Sequence, residues 1–299
     1  MNLSVFLSVA AAFLAIGATE RGDEPLKVLM VGNSFSISCL THLPQMAADC
    51  SKRLDIASLY IGGCSLERHA TNVTNEQNGM EGTYRYDRVV CNVRKATNQK
   101  MRLMDALRSA RWDVVTIQQA SHLSWKKESY HPWGDILVAT VRQLAPQAKI
   151  IVQQTWSYTP FAAPLSKWKI TQDEMYARLD DAYRDFAGAY GFDLIRMGRA
   201  VQEWRKRLPV AYGERSFGGD VVGGRHKRPE GQFKRGADGK WIVDSDTTHL
   251  NERGEYLQAL VWAVKLLDAD IERLPTHSDC VTDEEDRLMR RIAREVGRW

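Results

Sequence analysis

Short runs of Val, Ile and Leu alternate with stretches of helical period from one end of this chain to the other. Lys27–Val31, Ile56–Ile61, Asp113–Gln118, Lys149–Thr155 and Asp193–Met197 are apolar without the strict alternation of a half-exposed strand. That pattern predicts strands buried on both faces of a parallel sheet. Between them Leu40–Leu54, Lys100–Ala110, Trp133–Leu144, Gln172–Tyr190 and Ala200–Arg207 read as helices, followed by Glu252–Leu267 and Glu284–Val296. In Gln172–Tyr190 the residues Met175, Leu179, Ala182 or Tyr183, and Phe186 recur every three or four positions, and Thr171 and Glu174 stand at capping-box spacing. Repeated β-α-β order predicts right-handed crossovers and a three-layer α/β/α sandwich around a five-stranded parallel sheet, the flavodoxin-like arrangement.

Two regions break the rhythm. Arg68 to Lys100 is polar, and its Tyr84–Val90 stretch predicts a hairpin or a long loop. Residues 213–240 are rich in glycine and in base, with Arg215, Arg225, Lys227, Arg228, Lys234, Arg235 and Lys240 against four acids. They read as an insertion, either a solvated loop or a contact surface for an acidic glycan. Neither an internal repeat nor a domain linker interrupts residues 20–299, which read as a single domain.

Composition narrows the class. With 299 residues, 44% hydrophobic and 26% charged, the chain is an ordinary globular protein. Its formal charge of +4 is too mild for a dedicated nucleic-acid binder. Met1 to Ala18 carries no charged side chain, and the apolar run Phe6 to Ile16 ends in the small residues Gly17 and Ala18. Residues 1–19 therefore predict a secretory signal and a secreted or periplasmic product. No later stretch approaches the roughly 20 apolar residues of a membrane span, so no stable membrane partner is expected once the signal is removed. The five cysteines, Cys39, Cys50, Cys64, Cys91 and Cys280, form no CxxC pair, and the histidines show no metal spacing. Neither a metal nor a cofactor is expected. The cysteines read as small buried apolar residues, or in an exported protein as one or two disulfides with a thiol left over.

The chemistry lies in two remote segments. Val28-Leu29-Met30-Val31 runs straight into Gly32-Asn33-Ser34-Phe35-Ser36, a strand entering a turn. Asp246-Thr247-Thr248-His249 precedes a helix that Asn251 is placed to cap. A serine hydroxyl is a poor nucleophile without a base to take its proton, and a histidine base needs a carboxylate to fix its tautomer. Three residues of irregular chain let Asp246 fold back onto the ring nitrogen that faces away from Ser34. Asp244 is a competitor for that role. In an open α/β sheet a site lies beyond the carboxyl ends of the strands. Gly32-Asn33-Ser34, Gly62-Gly63, Gln118-Gln119 and Trp156 all fall there.

Taken together, Gly32-Asn33-Ser34, Gly62-Gly63-Cys64-Ser65, Asp113-Val114-Val115-Thr116-Ile117-Gln118-Gln119 and Asp246-Thr247-Thr248-His249 resemble the ordered blocks of the SGNH/GDSL hydrolase superfamily. More narrowly they resemble its bacterial Gly-Asn-Ser-Phe-Ser branch, whose members mostly lack an assigned substrate. The resemblance spans essentially the whole mature chain. It implies Ser34 as nucleophile, His249 as base and Asp246 as its orienter, with the backbone N–H groups of Ser34 and Gly63 as oxyanion donors. The superfamily's usual third donor is an asparagine in a Gly-x-Asn-Asp block. Gln118-Gln119-Ala120-Ser121-His122 stands there instead, which makes the Gln119 amide the candidate donor and Gln118 the second.

Trp156, Tyr158 and Trp125 follow strand ends, and His69 follows the second glycine block, so these residues and Gln118 are candidates for substrate contact. Flat aromatic faces suit sugar rings, although packing into the domain edge is the commoner use of large aromatics. The reading is a secreted serine esterase that hydrolyses acyl esters, acetyl above all, on a small molecule or a glycan through an acyl-Ser34 intermediate. Its rivals are a lipase-like or thioesterase-like hydrolase and a non-catalytic glycan-binding protein of the same fold.

Overall fold

The computed structural model describes residues 24–80, 86–90, 100–208, 219–224, 233–235, 241–243 and 246–298. The expected signal segment lies outside the described residues, as do Cys91, Asp244, the masked parts of 213–240 and five of their seven basic residues.

Five strands form the parallel sheet that the apolar runs predict: β1 (Leu26–Gly32), β2 (Leu54–Tyr60), β5 (Val114–Ile117), β6 (Lys149–Gln153) and β7 (Asp193–Ile195). Their order is β2-β1-β5-β6-β7, with Val28 beside Val114 and Ile56, and Thr116 beside Ile151. Two further strands, β3 (Tyr86–Val90) and β4 (Lys100–Met101), extend the β2 edge antiparallel. Of the hairpin-or-loop expectation at Tyr84–Val90, the described residues Tyr86–Val90 form a strand that pairs antiparallel with β4, the hairpin alternative, and β4 is the sheet's edge. β8 (Phe233–Arg235) and β9 (Trp241–Val243) pair as a separate antiparallel ribbon inside and just beyond the predicted insertion.

On one face α3 (Leu66–Gln77), α4 (Leu103–Arg108) and α5 (Trp133–Leu144) pack together, and α7 (Gln172–Tyr190) joins them where Phe186 closes on Gly134. On the other, α9 (Glu252–Leu267) is the central helix, against α2 (Leu43–Asp49), α8 (Met197–Arg207) and α10 (Asp283–Gly297). The capping box at Thr171 and Glu174 forms with both of its hydrogen bonds. A second one closes over α10 at Thr282 and Glu285. Covered on both faces, the strands bury Val28 to Val31, Val115, Ile117 and Val152 almost completely.

Two helices depart from expectation. The stretch read as Leu40–Leu54 is broken: a single turn α1 (Ser34–Ile37) runs into a 3₁₀ turn at Ser38–Thr41, and α2 restarts at Leu43 with Pro44 in its first turn. Proline lacks the N–H that a continuous helix would require there. In the polar segment after Ser65 stands α3, which hides His69 and Asn72 among its buried residues. The short α6 (Ala163–Trp168) lies between β6 and α7. Among the described residues no helix is long and apolar enough to cross a membrane. The four described cysteines, Cys39, Cys50, Cys64 and Cys280, are free thiols.

Connections leave β1 and β5 in opposite directions along the sheet, so the strand order reverses between them. Crevices open at such a switch point beyond the strands' carboxyl ends. Gly32 and Ile117 end there.

Candidate active site

The turn after β1 is held by atoms of its own residues. A side chain on Gly32 would place its Cβ 2.7 Å from Ser36 Oγ and 3.1 Å from Gln118, so only glycine fits. Asn33 is extended and its Oδ1 accepts from the Phe35 N–H at 3.0 Å, which caps α1 and puts Ser34 on its first position. Ser36 Oγ donates to the Asn33 carbonyl at 2.7 Å. From below, Gln153 of β6 and Gln258 of α9 both donate to the Phe35 carbonyl, at 2.9 and 3.0 Å. The Phe35 ring stacks on Trp156 with centroids 4.2 Å apart and leans on the His249 ring at 5.1 Å.

Ser34 and the 246–249 segment meet across 215 residues of chain: Ser34 Oγ lies 2.8 Å from His249 Nε2. Asp246 Oδ2 takes the hydrogen bond of His249 Nδ1. With the Nδ1 hydrogen given to the carboxylate, Nε2 is the free acceptor for the serine O–H. Asp246 Oδ1 accepts from the Thr248 N–H at 2.8 Å, the Thr248 hydroxyl at 2.7 Å and the His249 N–H at 3.0 Å. Burial works against the charged carboxylate, but the hydrogen bonds from the His249 ring, Thr248 and the backbone outweigh it. They hold Asp246 well below the ordinary carboxylate range.

That segment is braced from three directions. Gly223 N–H donates to the His249 carbonyl at 2.7 Å and Gly224 N–H to the Asp246 carbonyl at 3.1 Å. Trp156 Nε1 donates to the Thr248 carbonyl at 2.8 Å, and Thr159 N–H to Thr247 at 3.1 Å. Asn251 caps α9 and its amide donates to the carbonyls of Asp220 and Gly223. Behind it Arg205 holds the fully buried Asp220 carboxylate at 2.9 Å. Sequence reasoning missed this pair, because Asp220 sits in the stretch read as a solvated basic loop.

Gly63 adopts the left-handed conformation (φ +59°) that favours glycine in the turn after β2. Its neighbour Cys64 presents a carbonyl to the Asn33 amide at 3.0 Å, while Gln118 Nε2 donates to Asn33 Oδ1 at 2.6 Å. One asparagine thereby ties together the ends of β1, β2 and β5. A cleft of about 150 Å³ opens beside them, lined by Asn33, Ser34, Phe35, Gly63, Ser121, Thr248 and His249.

The expectation for Gln119 is corrected. Its amide N–H groups donate to the Ser129 carbonyl at 2.9 Å and hydroxyl at 3.1 Å, and its Oε1 accepts from the Leu66 and Ala120 N–H groups. It clamps the 120–130 loop to the start of α3 and has no donor left for the cleft. Ser121, two positions on in the same block, lines the cleft instead.

Substrate contact at Gln118, His69, Trp125, Trp156 and Tyr158 is corrected as well: none of the five lines the cleft. Gln118, His69, Trp156 and Tyr158 are buried. Burial, and to a lesser degree the nearby Arg68, pushes His69 down to about 3, so the ring is neutral; its Nδ1 pairs with the Tyr86 hydroxyl at 2.9 Å. Trp156 anchors the 246–249 segment, and half-buried Trp125 packs on Trp168 with Arg178 over its ring. Residues that follow buried strands met the demands of the core first. Among the described residues no group of three His, Cys, Asp or Glu side chains is placed to hold a metal ion.

A family model described as a domain of unknown function, DUF4886, matches residues 27–212. The structure of a DUF4886 family protein from Bacteroides uniformis is similar over 91% of this chain and 94% of its own, with 24% identity and a TM-score of 0.68. A protein from Slackia heliotrinireducens, provisionally assigned as an SGNH hydrolase, is similar over 80% of this chain and 98% of its own, at 19% identity and a TM-score of 0.50. Comparison with curated proteins finds no match. These likenesses show the fold: an α/β/α sandwich of the SGNH hydrolase type.

Proposed function

This chain belongs to the DUF4886 family, and from that premise we propose that it is an exported serine esterase that removes short acyl groups, acetyl above all, from carbohydrate esters. The observation that carries this reading is the unbroken line Ser34 Oγ, His249, Asp246 opening on a small cleft. His249 Nε2 takes the Ser34 proton as Oγ bonds to the ester carbonyl carbon, and Asp246 stabilises the imidazolium. The carbonyl electron pair moves onto oxygen, where the N–H groups of Ser34 and Gly63 receive it. The carbon–oxygen bond to the alcohol then breaks, and His249 returns its proton to the departing alkoxide. Water, deprotonated by His249, releases the acid from the acyl-Ser34 ester.

Cleft size and lining support a short acyl group. About 150 Å³ holds an acetyl, and among the described residues Phe35 is the only apolar side chain in the wall. A long acyl chain wants an apolar groove over Ser34. Of the aromatics expected to hold sugar rings, Trp156 and Tyr158 lie in the core and half-buried Trp125 does not line the cleft, so the carbohydrate alcohol rests on the polar lining and the expected export. Ser34→Ala is expected to abolish turnover of a small aryl acetate, and unchanged turnover removes Ser34 from the chemistry. Acid release from a panel of acetylated polysaccharides, set against esters of long-chain acids, tests the substrate class.

A further inference from the structure

We infer that the Ser121 hydroxyl is the third oxyanion donor of this site, and that Tyr158 positions it; the inference rests on the esterase reading above. The two glutamines of its block are committed elsewhere: Gln118 donates to Asn33, and Gln119 spends its amide on Ser129. Ser121 shares the cleft wall with Ser34 and Gly63. Its Oγ lies 2.8 Å from the Tyr158 hydroxyl, and that is its partner among the described hydrogen bonds.

The direction of this hydrogen bond follows from what surrounds each hydroxyl. Tyr158 is buried with no second partner among the described hydrogen bonds, whereas Ser121 also faces the cleft, so the arrangement that serves both hydroxyls has the Tyr158 O–H donating to Ser121 Oγ. The seryl hydrogen is then left for the cleft. Burial first, and the Asp246 charge as well, push the Tyr158 phenol up to about 12 against the opposing pull of Ser121, so it stays a donor at neutral pH. A donated hydrogen bond polarises the Ser121 O–H and strengthens what it gives in turn. The serine is also fixed: Ser124 Oγ and the Ser124 N–H both donate to its carbonyl, at 2.9 and 3.4 Å. Donors held in place before charge develops are the effective ones. No proton leaves Ser121; it hydrogen-bonds the oxygen that gains the carbonyl pair when Ser34 adds.

Two readouts test this on the intact chain: steady-state turnover of an aryl acetate, and the rate at which a fluorophosphonate labels Ser34. In the labelling the Oγ–P bond forms, P–F breaks, the serine proton passes to His249 and fluoride departs. Ser121→Ala is expected to lower kcat and the labelling rate by about 100- to 1000-fold with KM nearly unchanged. Tyr158→Phe, which keeps the Ser121 hydroxyl but not its orientation, is expected to lose about tenfold in kcat alone. If Ser121→Ala does not fold, Ser121→Cys carries the test, with a loss of at least about tenfold expected from its weak S–H donor. Rates within about threefold of the parent in the folded Ser121 variant, with Ser34→Ala inert, overturn the donor role and leave the esterase standing. A parent chain that neither turns over the ester nor takes the label at Ser34 overturns the esterase reading and this inference with it.

Discussion

The two walls of the cleft are built from different materials. The wall carrying Ser34 and Gly63 is held by neutral amides: Asn33 ties three strand ends, Gln118 and Gln119 clamp the β5 end, and Gln153 and Gln258 hold the Phe35 carbonyl. The wall carrying His249 is held by charge and borrowed backbone. Asp246 organises its own turn, and the buried Arg205–Asp220 pair stands behind the residues that grip it. Amides fix geometry without regard to pH and leave no charge in the low-dielectric interior. Charge can be made to serve the proton that moves. Rigidity is therefore built on one side of the reaction and electrostatics on the other.

The charged wall is where the largest kinetic effect is expected. Asp246→Asn keeps the shape of the side chain but offers His249 Nδ1 a hydrogen where it needs an acceptor. The imidazole then turns to the wrong tautomer, and kcat for an aryl acetate falls about ten-thousand-fold with the thermal midpoint little changed. A loss below about tenfold would reduce Asp246 to a turn-former.

Arg205→Met strikes the same wall from behind. It takes the guanidinium away from the Asp220 carboxylate, which is fully buried, and is expected to cost about 3–5 kcal/mol of stability by denaturant titration. The double variant Arg205→Met with Asp220→Leu removes both charges and is expected to recover most of that loss. No recovery would show that Asp220 matters for contacts beyond this ion pair, its hydrogen bond to the Val221 N–H among them.

Asn33→Ala tests the amide wall. It uncaps α1 and leaves the Cys64 carbonyl and the Gln118 amide without partners in the interior. Each stranded group costs about 1–3 kcal/mol, and both stability and turnover are expected to fall together. If turnover falls while stability holds, Asn33 acts at the chemistry and not as a tie.

How much of this was legible in the chain follows the same division. The Gly32-Asn33-Ser34 turn was readable because short-range rules dictate it: a buried strand, a glycine with no room for a Cβ, and an asparagine cap. The five parallel strands and α7 with its capping box followed from periodicity and were borne out. What supports His249 was not readable, because Trp156, Thr159, Gly223 and Gly224 reach it from distant segments and carry no local signature of doing so. Helix α3 was missed because His69 and Asn72 occupy inward positions where a helical stripe shows apolar residues. Gln119 and Trp156 were misread for a related reason: position at a strand end is common to residues that face the cleft and residues that face the core.

Asn72 and His69 lie behind the amide wall, and they yield the smallest expected effect, a histidine titration on that side. The Tyr86 hydroxyl accepts from the Asn72 amide at 3.0 Å and pairs with His69 Nδ1 at 2.9 Å, and burial keeps the imidazole neutral. Burial lowers its pKa to about 3, against about 6.5 for histidine in an unfolded chain. Between those values the unfolded chain binds a proton that the folded one does not, so stability is complete above about pH 6.5 and is lost as pH falls toward about 3. The slope contributed by one such proton is at most about 1.4 kcal/mol per pH unit. His69→Gln keeps an acceptor for Tyr86 and removes the titration. Its denaturation midpoint between about pH 6 and pH 4 should therefore fall less steeply than the parent's, with turnover at neutral pH within about threefold. Equal slopes would mean that His69 is protonated in the folded chain, and that the wall behind Gly63 carries a charge after all.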